Sequence, residues 1–220
     1  MKPVVYYCYD AYCGWCYGFS PVIKRIAEEY SDILSFEVLS GGMIPKEYER
    51  PVSSIAPYIS KAYKQVEELT GIKFGEDYLW HIFNPDKSDW LQHSEKSAAS
   101  LCIFKEYHPD KQVAFAADLQ YALHFEGRDL TDDEAYRHLL EAYNIPADEF
   151  YQKLSSEEYK EKAHYEFALC KQLQVTSFPQ VLIQSTGNSF YLLAKGFTDY
   201  KTLKERFEAV LKEIQFHSPK

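Results

Sequence analysis

The chain has 220 residues, of which 46% are apolar and 26% charged, a composition typical of a globular protein that excludes a disordered one. Its 24 lysines and arginines against 33 aspartates and glutamates give a net charge of −9. Nucleic acids and anionic membranes attract clustered positive charge, so we expect neither as a partner. No apolar run approaches the ~18 residues of a membrane span. The N-terminus lacks the apolar run of a secretory signal, which predicts a cytoplasmic protein if Met1 is the true start.

The first forty residues predict a β-α-β unit. Residues 4–9 form a continuous apolar run rich in β-branched and aromatic side chains, which is typical of a central strand buried on both faces. Apolar residues at alternate positions predict a second strand over residues 33–39. Between the strands, apolar residues at helical spacing predict one buried helix face, made of Phe19, Val22, Ile23, Ile26, Ala27 and Tyr30. Pro21 must lie near the start of this helix or at a kink in it.

The middle of the chain predicts helices only. Periodic apolar residues separated by glycine and proline indicate six helices, and we find no strand pattern or repeat among them. Two of these helices begin with a capping-box pattern, Thr131 with Glu134 and Ser155 with Glu158. The six predicted helices span residues 52–69, 77–83, 94–107, 112–125, 131–143 and 155–173.

Strand patterns return near the C-terminus, at residues 181–183 and 190–194, with turn residues 186–189 between them. A last helix follows, whose apolar stripe contains Leu203, Phe207, Val210, Leu211 and Ile214. The order β-α-β, helical block, β-β-α predicts an α/β fold. We expect residues 1–45 and 170–220 to form one domain and residues 46–169 to form a helical domain inserted in it.

The strongest chemical signal is the stretch Cys13-Gly14-Trp15-Cys16, at the junction of the first strand and the first helix. Two intervening residues allow one helical turn to bring the two sulfurs within bonding distance. Cys13 lies at the helix N-terminus, where free amides and the positive end of the helix dipole favour a thiolate. We therefore expect Cys13 to be the attacking thiolate and Cys16, one turn further in, to be the resolving thiol.

Two metal-binding interpretations of the cysteines have less support than the attacking and resolving pair. A zinc site needs a second Cys-x-x-Cys or a histidine pair at short spacing, and the chain has neither. Cys8, Cys13 and Cys16 have the spacing of a plant-type ferredoxin, but an iron–sulfur cluster needs a surrounding loop, whereas Cys8 lies in a predicted strand. We expect no metal and no cofactor, and we interpret Cys8, Cys102 and Cys170 as inert buried hydrophobes.

A second signal is Val175-Thr176-Ser177-Phe178-Pro179, just before the third strand, where a proline fits because it cannot donate to a strand ladder. With the Cys-x-x-Cys pair, it resembles the thioredoxin fold, and the helical insertion is similar to the DsbA family. Residues 10–19 and the loop Ser40-Gly41-Gly42-Met43 resemble the FrnE-type branch of that family. The resemblance implies a cis Phe178–Pro179 peptide bond that faces Cys13 and leaves the Phe178 backbone free to pair with an extended substrate.

The chain departs from the family's pattern at two positions. Tyr7 stands where thioredoxins and DsbA carry a buried acid, so the group that accepts the proton of the resolving thiol is open. Asp10 and Glu37 are the candidates, although an exposed, solvated carboxylate is the simpler interpretation of each. Trp15 replaces the histidine that DsbA carries between its cysteines, which removes a cation that would lower the pKa of Cys13.

Trp15 and Phe178 are the predicted substrate contacts. We place Trp15 on an exposed turn, where an indole has little core to join. Phe178 fits either the core or the lining of a cleft. Gly41 and Gly42 are most simply explained by a loop that needs positive φ angles.

These residues together predict a cytoplasmic thiol–disulfide oxidoreductase that acts on a protein or small-molecule disulfide or thiol, glutathione included. In a reducing cytosol the dithiol form dominates, which favours a reductase or an isomerase. Two alternatives stay open. Kappa-class glutathione transferases and hydroxychromene-carboxylate isomerases resemble the same branch but carry serine at the position of Cys13. A holdase would use an aromatic cleft without any redox step.

Overall fold

A four-stranded sheet forms the centre of the protein in the computed structural model, which describes residues 2–185 and 189–217. Its strands are β1 (Val4–Tyr9), β2 (Ser35–Ser40), β5 (Gln180–Gln184) and β6 (Phe190–Lys195), in the order β2-β1-β5-β6. Strand β1 pairs parallel with β2 and antiparallel with β5, and β5 pairs antiparallel with β6. The crossover from β1 to β2 is α1 (Gly14–Tyr30), and α9 (Tyr200–His217) follows β6. Residues 186–188 of the predicted turn lie outside the described residues.

The inserted helices pack on the β2 side of the sheet. They are α2 (Ala56–Thr70), α3 (Glu76–Phe83), α4 (Glu95–Tyr107), α5 (Gln112–His124), α6 (Arg137–Tyr143), α7 (Ala147–Leu154) and α8 (Glu157–Gln172). Helices α5 and α8 both contact β2, while α5 also packs on α1 and α4 packs on α8. The predicted α/β fold with a helical insertion is confirmed. The division at residue 170 stays a prediction, and it falls within the last turn of α8.

Two features of the insertion differ from the sequence prediction. Strands β3 (Arg50–Pro51) and β4 (Leu91–Gln92) pair antiparallel, where no strand was expected. A two-residue strand is too short to show an alternating pattern, which explains the omission. Helix α7 was also not predicted. No helix among residues 2–185 and 189–217 is both long and apolar enough to cross a membrane.

The capping-box predictions were wrong at both positions. Thr131 bonds to Asp129 and caps nothing, because the following turn is a 3-10 helix, Asp133–Tyr136, whose N-cap is Asp132. The Asp132 carboxylate accepts the Glu134 amide at 3.1 Å. Ser155 ends the unpredicted α7, and its hydroxyl donates back to Gln152 at 2.9 Å, so α8 begins only after Ser156.

Pro21 lies inside α1, where a proline removes one helical hydrogen bond. The carbonyl that loses its partner is that of Tyr17, four residues earlier. The hydroxyl of the buried Ser20 donates to this carbonyl at 2.8 Å. The local sequence therefore supplies a replacement bond, and α1 continues to Tyr30.

Candidate active site

Cys13 lies between β1 and α1, and Cys16 lies in the first turn of α1. Cys13 is the N-cap residue of α1 and has extended backbone angles, φ −84° and ψ 108°. Its amide donates to the carbonyl of Asp10 at 3.1 Å, and its own carbonyl accepts the Tyr17 amide at 3.0 Å. Cys13 is mostly buried, with 8% of the residue exposed, whereas Cys16, one turn later, is fully buried. Both are free thiols.

The two thiols differ in acidity. A hydrogen bond from the Cys16 thiol lowers the pKa of Cys13, and the amides of Cys16 and Trp15 lower it further, against burial, which raises it. Burial raises the pKa of Cys16 well above its usual range, and the neighbouring Cys13 adds to this rise. Cys13 therefore ionises first while Cys16 keeps its proton, which is the difference that an attacking and a resolving thiol need.

Phe178 faces Cys13 through its backbone. The Cys13 thiol lies 3.6 Å from the Phe178 carbonyl oxygen, and the Phe178–Pro179 peptide bond is cis. The Phe178 ring is half-buried and fills the space above Gly41, where a Cβ atom would stand 1.9 Å from its Cζ. Gly41 is therefore needed for close packing and not for a positive φ angle. Of the two neighbouring glycines, Gly42 is the one with a positive φ, at 64°. The tertiary structure thus brings Cys13, Phe178, Pro179 and the loop at Gly41 together.

Replacing Gly41 by alanine should displace the Phe178 ring and with it the carbonyl that faces Cys13. We expect a loss of ~1–3 kcal/mol in stability, typical of overpacking, and slower disulfide turnover. The double variant Gly41→Ala/Phe178→Leu, with a smaller side chain opposite the new methyl, should recover part of both. Gly71→Ala is the control: Gly71 has a φ of 79° and open space around it, so only stability should fall. Urea unfolding and turnover, measured on all three variants, test this. Normal turnover in Gly41→Ala would contradict it.

Asp10 is buried at this site, contrary to the expectation of a solvated carboxylate. It is 1% exposed, and its two oxygens accept the amides of Tyr12 at 3.0 Å and Met43 at 2.7 Å. These bonds tie the loop before Cys13 to the loop after β2. Burial raises the pKa of Asp10, while the hydrogen bonds of its neighbours act in the opposite direction. The other candidate, Glu37, is half-buried and bonded to Lys105 at 2.6 Å.

Tyr7, in the position of the family's buried acid, contributes a neutral hydroxyl beside Cys16. It is 1% exposed, and no hydrogen-bond partner lies within normal distance of this hydroxyl among the described residues. Burial raises the pKa of Tyr7 well above 10, with a further rise from the nearby Cys16 thiol. A phenol that stays protonated cannot act as the base. Of the acids considered, Asp10 is the one whose charge acts on both thiols, because its carboxylate raises the pKa of each.

Two residues of α5 that the sequence analysis missed hold the loop before Cys13. Gln120 donates to the Asp10 carbonyl at 3.3 Å, and His124 Nε2 lies 3.1 Å from the Ala11 carbonyl. Burial lowers the pKa of His124 to about 3, so the ring is neutral and donates from Nε2. The sequence did carry a signal, since these two polar residues lie four apart on a largely apolar helix.

Trp15 and Cys13 line a pocket of about 210 Å³, whose opposite wall is formed by α2 together with Phe74 and Tyr78. Trp15 is half-buried and packs on the core, so its placement on an exposed turn was wrong. The insertion supplies the facing helix that the sequence pattern could not show. Contact of Trp15 and Phe178 with a substrate stays a prediction.

The ferredoxin-like spacing does not produce a cluster site. Cys8 packs with Leu39 and Cys170 in a group separate from the core that holds Cys13 and Cys16. Within residues 2–185 and 189–217, no three metal-binding side chains converge. Cys102 and Cys170 are buried, and the pKa of each thiol is raised. Burial is the main cause for Cys102, and a hydrogen bond with the Cys8 thiol is the main cause for Cys170.

Several solved structures share this fold. A proposed protein disulfide isomerase from Nitrosomonas europaea is 24% identical with a TM-score of 0.82, and the match covers 99% of this chain and 100% of that one. The cytosolic disulfide reductase DsbM from Pseudomonas aeruginosa is 23% identical with a TM-score of 0.78, covering 96% and 99%. The same reductase with GSH is 22% identical with a TM-score of 0.74, covering 95% and 99%.

A 2-hydroxychromene-2-carboxylate isomerase is 12% identical with a TM-score of 0.65, and the match covers 98% of this chain and 100% of that one. Such low identities establish the fold alone. No curated protein matches the chain. The family model of the DSBA-like thioredoxin domain matches residues 4–208, which is nearly the whole chain. Together with the strand order, this match shows that the chain belongs to the DSBA-like thioredoxin family.

Proposed function

We propose that the protein is a thiol–disulfide oxidoreductase that uses Cys13 as its attacking thiolate and Cys16 as its resolving thiol. The observation that carries this proposal is the pair of unequal thiols: Cys13 keeps 8% exposure and has a lowered pKa, whereas Cys16 is fully buried and has a raised pKa. The Phe178 carbonyl, 3.6 Å from the Cys13 sulfur, adds a backbone group at which a substrate segment can be held.

The reaction proceeds through two exchanges. Cys13 thiolate attacks one sulfur of a disulfide R–S–S–R′, a Cys13–S–S–R bond forms, and R′–S⁻ leaves and takes up a proton. Cys16 then loses its proton to the buried Asp10 carboxylate and attacks the Cys13 sulfur, which releases R–S⁻ and forms the Cys13–Cys16 disulfide. Two electrons have passed from the dithiol to the substrate. A thiol reductant, such as glutathione, restores the dithiol and is itself oxidised to a disulfide.

We assign the direction as reduction or isomerisation in the cytoplasm. A stabilised thiolate favours the dithiol form, and a reducing cytosol keeps it in that form. DsbM, a cytosolic reductase of the same fold that was solved with GSH, supports this assignment and glutathione as the co-substrate. Membership of the FrnE-type branch stays a prediction. An isomerase of the hydroxychromene-carboxylate type is the second candidate, because one such enzyme shares the fold. Against it, this chain has Cys13 where the resemblance to that class implies a serine.

Reduction of insulin by dithiothreitol, with and without the protein, tests the proposal. The wild-type protein should accelerate the reaction, and Cys13→Ser/Cys16→Ser should return it to the uncatalysed rate. Suppression of insulin aggregation that persists in the double variant would instead indicate a holdase. Iron and zinc content is measured on the same preparation. A stoichiometric metal that is lost on replacing Cys8 would favour a metal site.

A further inference from the structure

The pocket beside Cys13 is small and mostly aromatic. Cys13, Trp15, Tyr58, Phe74 and Tyr78 are among its lining residues, and its volume is about 210 Å³. Pockets for drug-sized ligands hold roughly 300–1,000 Å³, so this one has room for a single small group beside the disulfide that Cys13 attacks. Its walls favour an apolar body next to the sulfur that Cys13 attacks.

Arg50 is the one charged residue among the described residues that line this pocket. Its Nε atom is buried and has no hydrogen-bond partner, and no carboxylate of the described residues lies within 4 Å of its guanidinium. The adjacent acid, Glu49, bonds to Lys46 instead. The backbone of Arg50 is held by pairing with Gln92. A buried guanidinium nitrogen without an acceptor is costly, which points to a ligand that supplies one.

We propose that Arg50 binds a carboxylate of the substrate, so that the pocket selects small disulfides that combine an apolar body with an acid group. This inference rests on the proposed function. A guanidinium forms paired, charge-assisted hydrogen bonds with a carboxylate, which fix orientation as well as add affinity. With the acid on Arg50 and the apolar body against Trp15, the disulfide sulfur is directed toward Cys13, which lines the same pocket.

Three small disulfides of similar size test this: anionic 3,3′-dithiodipropionate, neutral 2-hydroxyethyl disulfide and cationic cystamine. Each is mixed with the fully reduced protein, and the rate of Cys13–Cys16 oxidation is followed by acid quench and mass analysis. The measured quantity is the ratio of the anionic to the neutral rate constant. Intrinsic differences between the disulfides cancel when this ratio is compared between variants.

Arg50→Met should lower the ratio by about tenfold or more, because a charge-assisted bond to the acid is lost, and Arg50→Lys should lower it less. Arg137→Met, which removes an exposed cation outside the pocket, should leave the ratio unchanged. The anion-to-cation ratio should fall further than the anion-to-neutral ratio in Arg50→Met.

An unchanged ratio in Arg50→Met would overturn the inference, and so would an equal fall in Arg137→Met, which would mean that only the overall charge matters. In both cases oxidation of the wild-type protein by the neutral disulfide leaves the proposed function standing. A reduced wild-type protein that none of the three disulfides oxidises would overturn the proposed function and the inference with it.

Discussion

Replacing Cys16 by serine should turn the protein into a trap for its substrates. Cys13 still attacks, because it is the less buried of the two thiols and its pKa is lowered, but nothing remains to release the mixed disulfide. Steady-state turnover should fall to the background rate while covalent adducts accumulate. Non-reducing electrophoresis and mass mapping measure the adduct. Cys13→Ser, equally inactive but without adducts, is the matched control, and adducts formed by that variant would contradict the assignment.

The pH dependence of alkylation should follow the acidity of Cys13. Brief iodoacetamide treatment should label Cys13 alone, with a midpoint below the ~8.5 of an ordinary thiol. Cys16→Ala should raise the midpoint, because the hydrogen bond from Cys16 is the largest cause that lowers this pKa, whereas Cys16→Ser keeps a donor and should raise it less. Asp10→Asn should lower the midpoint, because the carboxylate raises the same pKa. Preferential labelling of Cys102 or Cys170 would overturn this prediction.

Lys105→Met should cause a large loss of stability although Lys105 lies outside the site. The Lys105 ammonium is mostly buried and lies 2.6 Å from both Glu166 and Glu37, so it joins α4 to α8 and β2. Without it, the Glu166 carboxylate, which also accepts the Ser40 amide at 2.9 Å, is left buried and unpaired. Breaking a buried ion pair in this way costs ~3–5 kcal/mol. Urea unfolding provides the measurement.

A double variant separates the cost of leaving a charge unpaired from the cost of lost side-chain packing. Lys105→Met/Glu166→Leu should be more stable than Lys105→Met, because no buried charge then lacks a partner. Lys162→Met is the surface control: its partners Glu106 and Glu158 are partly exposed, so the cost should stay below ~1 kcal/mol. Equal stabilities of Lys105→Met and the control would contradict the prediction.

The same ion pair predicts a pH dependence in the alkaline range. Burial lowers the pKa of Lys105, but the carboxylates of Glu166 and Glu37 outweigh it, so the pKa is raised overall. A raised pKa for a lysine contributes stability that is complete below the unfolded value of ~10.4 and is lost as the pH rises through the folded value. The difference in stability between wild type and Lys105→Met should therefore shrink only above about pH 10.

Features that depend on residues close together in the chain were predictable from the sequence. The position of Cys13 at the start of α1 follows from an apolar strand run and a helical stripe on either side of it. The proline before β5 follows from the rule that a strand ladder needs amide donors. Such patterns repeat within a few residues, so the succession β-α-β, helical block, β-β-α along the chain and the α/β class were predictable. Strands as short as β3 and β4 show too little pattern to be predicted. The start of α8 was misplaced because the preceding helix α7, which ends at Ser155, was not predicted.

The burial of polar groups, in contrast, could not be predicted from the local sequence. Asp10 looked like a surface carboxylate, yet it is buried: the Met43 amide donates to its carboxylate, and Gln120 and His124 of α5 bond to the backbone carbonyls of Asp10 and Ala11. Gly41 looked like a turn residue, yet its lack of a side chain makes room for the Phe178 ring, 137 residues away. Burial and acidity depend on every atom within a few ångströms, and chain segments far apart in sequence supply those atoms. The prediction that Cys13 is the attacking thiol therefore came from the sequence, while the groups that tune its acidity are visible only in the tertiary structure.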